Sequence, residues 1–255
     1  TWRGRLRLAA IRRWADIVIV LTDVMRDEAL SAGILREHIR IFNNGIDAAA
    51  YKFDTSKEQA KHQLQLDGKT LLLFVGRLDP VKSLSTILDA LAISLDFSPA
   101  LHFIIVGDGP DRIRLETQAK TLGIGNVVEF AGNQKDVRRY LQAADMFVLP
   151  SITEGISNAL LEAMAAGVAC LATPVGGNVE VLVQGKYGVL IPVGDIHAWA
   201  KAFTEIGNDP ALRAKLGQLA RERIFNQYDF NVVGAQYEAL YTELLGDIFG
   251  SYTNK

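Results

Sequence analysis

With 255 residues the chain has length for one large or two small domains and a sizeable buried core. Hydrophobic residues at 49%, charged residues at 22% and a formal net charge of -2 describe an ordinary globular protein, and they exclude a global field for nucleic acid, so none is expected as a partner. One cysteine, Cys170, excludes an internal disulfide and suits a reducing compartment; no apolar run approaches the roughly 20 residues of a spanning helix, and no leader peptide is visible.

The chain opens on Thr1 rather than Met and is expected to be a fragment or a processed form. Residues 1–14, TWRGRLRLAAIRRW, hold five arginines and no acid, with Trp2, Leu6, Ala9, Ala10 and Trp14 able to share one side of a helix. Two readings stay open: a surface helix of a further domain, or peripheral contact with an anionic membrane surface. Asp16 to Leu21 is a buried-strand run, Thr22-Asp23 caps a helix ending near Gly33, and Ile39 to Phe42 is a strand stopped by Asn43-Asn44-Gly45. A polar stretch over 48–69, with a helix from Ser56 to Leu66, marks a domain boundary.

From Leu71 the rhythm is regular. Strands are expected at Leu71–Val75, Leu101–Val106, Val127–Phe130, Met146–Leu149, Ala169–Ala172 and Val189–Ile191. Helices are expected at Ser83–Leu95, Asp111–Leu122, Lys135–Ala143, Asn158–Ala166 and Ile196–Ile206, then at Pro210–Phe225 and Asn231–Leu245. This alternation predicts an α/β fold, a Rossmann-like doubly wound parallel sheet.

In such sheets ligands lie beyond the carboxyl ends of the strands. The loops there carry two cations, Arg77 and Lys82, and two carboxylates eight positions apart, Glu154 and Glu162, around the N-terminus of the helix that Ser157-Asn158 opens. Arg77 offers a planar fork and Lys82 a point charge, which together suit a pyrophosphate. Gly76, Gly155, Gly176 and Gly177 let backbone approach a ligand, and a helix N-terminus suits phosphate. Glu162 is placed to accept the vicinal hydroxyls of a ribose and Glu154 those of a second sugar. The bland alternative is that the cations are solvated loop charges with which the glutamates pair.

The motifs GRLDPVK, VGDGP, VVEFAG, AADMFVLPS, EGISNALLEAMAAG, and TPVGG followed three residues on by Glu180, resemble the GT-B glycosyltransferases of family 4, the glycosyl transferases group 1, over residues 15–245. Within them the wording is most similar to bacterial exopolysaccharide and exosortase-associated transferases. The resemblance implies a retaining hexosyl transfer from a UDP- or GDP-type sugar to a glycan or lipid-linked acceptor, in the cytoplasm or at the inner face of the membrane. It implies residues 1–47 as a remnant of the N-terminal acceptor-binding domain, 48–228 as the C-terminal nucleotide-sugar-binding domain and 229–255 as a helix crossing back, with Tyr237, Leu240, Tyr241 and Leu244 exposed or paired with residues 1–42. Gly76, Arg77 and Lys82 would bind the diphosphate. Glu154 would contact the donor sugar, Ile156, Ser157 and Asn158 would approach sugar or phosphate through backbone amides, and Glu162 would take the ribose. Phe130 and Asn133, in the segment 130–134, would sit by the base. Arg77, Lys82 and Glu154 are the catalytic candidates. No cofactor and no metal is expected: there is no Asp-x-Asp pair, and His38, His62, His102 and His197 lack ligand spacing. Ser83 stands where many members carry glycine, and Ile156-Ser157 where Phe-Gly is commoner. With one wall of its cleft, the chain is expected to bind nucleotide but turn over poorly. The alternatives are a non-catalytic nucleotide-sugar-binding module and a GT-B nucleotide-sugar epimerase.

Overall fold

A computed structural model describes residues 11 and 13–253, with side chains through residue 246. The expected membrane contact of residues 1–14 therefore falls almost wholly outside the described residues. Two compact units emerge, one within residues 1–46 and 226–255, the other over residues 47–225.

In the first unit, β1 (Val18–Val20) and β2 (Ile39–Ile41) pair in parallel, Val18 opposite Ile39. Their crossover is α1 (Asp23–Ser31), whose cap Thr22 accepts the Met25 N–H at 3.1 Å. Val20, Ile34 and Ile39 are the buried centre, with Val18, Ala29 and Leu30 against them.

The second unit runs through α2 (Lys57–Gln63), β3 (Thr70–Val75), α3 (Leu84–Ser94), β4 (Leu101–Val106), α4 (Arg112–Thr121) and β5 (Val128–Gly132). It continues through α5 (Arg138–Ala143), β6 (Met146–Leu149), α6 (Asn158–Ala165), β7 (Ala169–Ala172), α7 (Asn178–Leu182), β8 (Val189–Leu190), α8 (Ile196–Gly207) and α9 (Pro210–Gln227). The six strands form one parallel sheet in the order β5-β4-β3-β6-β7-β8. Every residue of β6 and β7 is buried, as are Leu71 to Phe74 of β3, so these strands lack polar alternation because both faces are covered. Leu84, Ile87, Leu88 and Leu91 of α3 pack toward Trp199, Phe203 and Ile206 of α8.

The helix expected from Lys135 begins only at Arg138. The Asp136 carboxylate accepts the Arg138 N–H at 2.9 Å, a local turn that competes with helical bonding. The expected strands at Leu101–Val106, Met146–Leu149 and Ala169–Ala172 have those bounds in the structure. The helix α7 was not anticipated.

The last helix, α10 (Phe230–Thr253), belongs to the first unit. Ile46 donates its N–H to the Tyr228 carbonyl at 2.8 Å and accepts that of Phe230 at 3.0 Å. Tyr237 meets Phe42 edge to face at 4.8 Å, Leu240 is buried, and Tyr241 is exposed.

At the amino ends of the strands, opposite the predicted site, Asp145 is 5% exposed in its side chain. It accepts the Leu71 N–H at 2.8 Å and is ringed by Lys61 in direct contact, by Lys57 at 3.4 Å and by Arg213 at 3.8 Å. Burial pulls the Lys57 ammonium below its ordinary pKa, against the opposing pull of Asp145.

Candidate functional site

The chain runs outward from β3 through β4 to β5, then returns to the other side of β3 to lay down β6. The switch point of the sheet therefore lies between β3 and β6, where doubly wound sheets form their binding crevice. Pairing there is short. Leu72 faces Met146 and Leu73 faces Phe147, after which the ladder stops although β3 continues to Val75 and β6 to Leu149. On its other side β3 pairs with β4 through all six positions. The strands part toward their carboxyl ends.

The loops around this opening are tied together in the order of their strands. Leu78 donates its N–H to Asp108 at 2.9 Å and accepts that of Asp111 at 3.0 Å, and Gly107 donates to Gly132 at 2.8 Å. Across the switch point, Ile152 donates to the Val81 carbonyl at 2.8 Å, and farther along Gly177 donates to Gly155 at 2.9 Å. Such approach demands glycine, most tightly at two places. A Cβ on Gly107 would overlap the Gly76 carbonyl oxygen, and one on Gly176 the Glu154 carbonyl oxygen; both residues also have positive φ.

Side chains meet at the same point. Lys82 closes the turn Pro80–Lys82, and its ammonium pairs with Oε1 of Glu154. The side chains are 21% and 10% exposed, so this pair is largely withdrawn from water and weakly screened. Ser151, fully buried, donates to the same oxygen at 2.8 Å. Arg77 is in the same loop but 70% exposed, its Nε on Asp79. One of the two glutamates thus pairs with one of the two cations, as the bland reading held, while Arg77 keeps an exposed guanidinium in the loop that carries Lys82.

Ser157 caps α6 by accepting the Leu160 N–H at 3.3 Å, which places Ile156, Ser157 and Asn158 at the start of that helix. Glu162 lies one turn further in, half-buried, with no hydrogen bond or ion pair on its carboxylate among the described residues. Burial raises its pKa above the usual carboxylate range. The turn Ala48–Tyr51 packs against α6, and burial, then the charge of Glu162, pushes the Tyr51 hydroxyl up to about 12. Phe130 and Asn133 lie at the end of β5, the outermost strand on the other arm of the sheet; Phe130 is half-buried and Asn133 exposed. The structure joins Lys82 to Glu154 and sets Glu162 on the adjoining helix, while Phe130 and Asn133 stay on a separate strand end.

Three residues escaped sequence reasoning: Tyr51, Ser151, and Thr173, whose Oγ1 donates to the Ser151 carbonyl at 2.6 Å. Ser151 and Thr173 each follow directly on a strand's last apolar stretch, which was the available signal. Tyr51 gave none, lying in a polar connection. Among the described residues no group of three His, Cys, Asp or Glu side chains could hold a metal ion.

The sequence model of the family described as glycosyl transferases group 1 matches residues 56–223. N-acetyl-alpha-D-glucosaminyl L-malate synthase of Bacillus anthracis is 30% identical over 234 residues, 91% of this chain and 61% of that protein. The lipopolysaccharide core biosynthesis glycosyltransferase LpsE of Rhizobium meliloti is 28% identical over 231 residues, 91% of this chain and 65% of that protein. The chain thus spans less than two thirds of these relatives' length. Among solved structures, Anabaena HepE in complex with UDP-glucose superposes with a TM-score of 0.82 at 25% identity, over 93% of this chain and 67% of that one.

Proposed function

The chain belongs to the glycosyl transferases group 1 family, and from that premise we propose that residues 47–225 are the donor-binding half of a retaining GT-B glycosyltransferase. The whole protein would move a hexose from a nucleoside diphosphate to a glycan or lipid-linked acceptor, in bacterial polysaccharide assembly at the cytoplasmic face of the membrane. The observation that carries this is the meeting of Lys82 and Glu154 across the switch point of the sheet. The UDP-glucose complex of HepE and the part of LpsE in lipopolysaccharide core biosynthesis support the donor class and the pathway class. Among the described residues no helix is long and apolar enough to cross a membrane, which accords with peripheral action.

In this reading the bond from the anomeric carbon to the phosphate oxygen breaks with its electron pair going to the diphosphate. Arg77 and Lys82 stabilise that charge, the principal electrostatic task when the leaving group is a diphosphate. The acceptor oxygen bonds to the anomeric carbon on the face the diphosphate leaves, and its proton passes to a phosphate oxygen. Glu154 orients the donor sugar and Glu162 the ribose hydroxyls, while the amides of Ile156, Ser157 and Asn158 approach sugar or phosphate. Gly76 keeps the first loop close to the diphosphate, and the segment of Phe130 and Asn133 borders the base. No metal enters the scheme. Residues 1–46 and the last helix would belong to the acceptor half.

Calorimetric titration of the chain with UDP, GDP and ADP tests the donor site. One nucleotide is expected to bind, and Glu162→Ala to weaken it. Binding of none at millimolar concentration, by this chain and by a longer form carrying the upstream sequence, rejects the reading. A non-catalytic module is separated by donor hydrolysis in the longer form: slow release of free sugar marks an enzyme. Retention is read from the anomeric configuration of the product by NMR.

A further inference from the structure

A chain of buried polar side chains runs from α7 to the Lys82–Glu154 pair, and the donor-site reading gives it no role. Ser151, Thr173 and Asn178 each have 0% exposure. Asn178 donates from Nδ2 to the Thr173 carbonyl at 3.1 Å. Thr173 donates from Oγ1 to the Ser151 carbonyl at 2.6 Å, and Ser151 donates from Oγ to Oε1 of Glu154 at 2.8 Å. Lys82 reaches the same Oε1. The loops after β6 and β7 are thereby tied to each other, and the tie ends on one carboxylate oxygen.

Two features argue that this is more than loop packing. Buried hydroxyls could satisfy themselves on backbone carbonyls, as Ser94 does on those of Ala90 and Ala200; Ser151 instead takes a charged side-chain acceptor, in the crevice. The chain also loads the carboxylate unevenly. Oε1 receives both Ser151 and Lys82, whereas Oε2 receives no donor among the described residues. A carboxylate has about four lone-pair sites, so one oxygen is held while the other keeps its acceptor capacity for a ligand.

We propose that Ser151 and Thr173 are positioning residues for Glu154: Ser151 clamps Oε1, Thr173 fixes the Ser151 backbone, and Oε2 is thereby presented to a hydroxyl of the donor sugar. This inference rests on the donor-site reading above. It assigns the two oxygens of Glu154 different tasks, one structural and one ligand-facing. It also places specificity for the sugar, as distinct from affinity for the nucleotide, under the control of two side chains that touch no ligand. Charge-assisted hydrogen bonds are the strong and directional kind, which is why one hydroxyl suffices to set the carboxylate's rotation.

The test compares the affinity of this chain for UDP with that for UDP-glucose and UDP-N-acetylglucosamine by calorimetric titration, in wild type, Ser151→Ala, Thr173→Val and Thr173→Ser. The wild type is expected to bind one UDP-sugar more tightly than UDP. Ser151→Ala and Thr173→Val are expected to keep UDP affinity within about twofold while losing most of the sugar's increment, about tenfold for a hydrogen bond to a charged group. Thr173→Ser keeps the hydroxyl and should restore the increment. A merely structural role would lower UDP and UDP-sugar affinity together, as would partial unfolding, and Thr173→Ser would separate these by retaining its melting temperature. A sugar increment unchanged in Ser151→Ala, or absent in the wild type while UDP binds, overturns the positioning inference and leaves the nucleotide site standing. Failure of UDP itself to bind the wild type overturns both.

Discussion

The two ends of the central sheet each bury a carboxylate against lysine, and they use it in opposite ways. At the amino ends Asp145 is filled from every side: a backbone N–H from β3, two lysines from α2 and an arginine from α9. At the carboxyl ends Glu154 is filled on one oxygen and open on the other, and Glu162 has no partner among the described residues. A saturated carboxylate fixes four elements relative to one another. A half-filled one keeps the capacity to bind, at a desolvation cost that Lys82 and Ser151 offset on one oxygen only. The same pairing chemistry thus marks a joint at one end and a site at the other.

The comparison breaks most visibly at Asp145. Asp145→Ala strands three cations, two of them, Lys61 and Arg213, only 14% exposed. Removing one partner of a buried pair costs about 3–5 kcal/mol, so the urea midpoint is expected to fall sharply. An unchanged midpoint would remove the contrast. Next comes Arg77→Ala. Arg77 is exposed and, among the described residues, paired only within its own loop, so stability should hold while affinity for the nucleotide falls roughly 10- to 100-fold, the worth of about 1.5–3 kcal/mol for a charge-assisted contact.

Glu162→Gln sharpens the contrast in sign. Burial raises the folded-state pKa of Glu162, so the folded state holds its proton to higher pH than the unfolded chain does. Stability contributed by that proton is full below the ordinary carboxylate range and is lost as pH rises through the raised value. At neutral pH the charged form therefore burdens the fold. Glu162→Gln is expected to melt higher than wild type at pH 7, to lose that advantage at acid pH, and to bind nucleotide more weakly. A lower melting point at pH 7 would count against Glu162 as an uncompensated site charge.

The smallest effect belongs to Ser83, with φ 50° and ψ 35° in the left-handed region directly after Lys82. That conformation costs a non-glycine residue about 1–2 kcal/mol, which accounts for glycine being common there in the family the sequence resembles. Ser83→Gly forfeits the Ser83–Thr86 hydroxyl contact at 3.0 Å, so a net gain of about 1 kcal/mol in thermal stability is expected.

What the sequence made legible follows from locality. Strands such as Met146–Leu149 and Ala169–Ala172 are short apolar blocks between turn residues, and their bounds were readable to the residue. Arg77, Lys82 and Glu154 were readable because each lies in the loop after such a block, and Glu162 because it lies one turn inside the helix that follows. The helix α7 was not, since five residues between Gly177 and the turn at Val183 are too few to show a helical period. Asp145 reads as the polar start of a strand; its cations come from residues 57, 61 and 213, distant along the chain and brought in only by packing. The uneven loading of Glu154 was equally hidden, because hydrogen-bond partners of a side chain are a tertiary property.

The bonds that tie the loops side by side also bear on redesign. Leu78 is held by the loop after β4, Ile152 reaches back to Val81, and Gly177 holds Gly155, with glycines at contacts where a single methyl group would collide with a neighbouring carbonyl. A loop transplanted alone from a relative with another sugar preference would arrive without its matching neighbour. New specificity in this scaffold is more readily reached by exchanging adjacent loops as sets, such as those after β6 and β7 together, than by swapping one at a time.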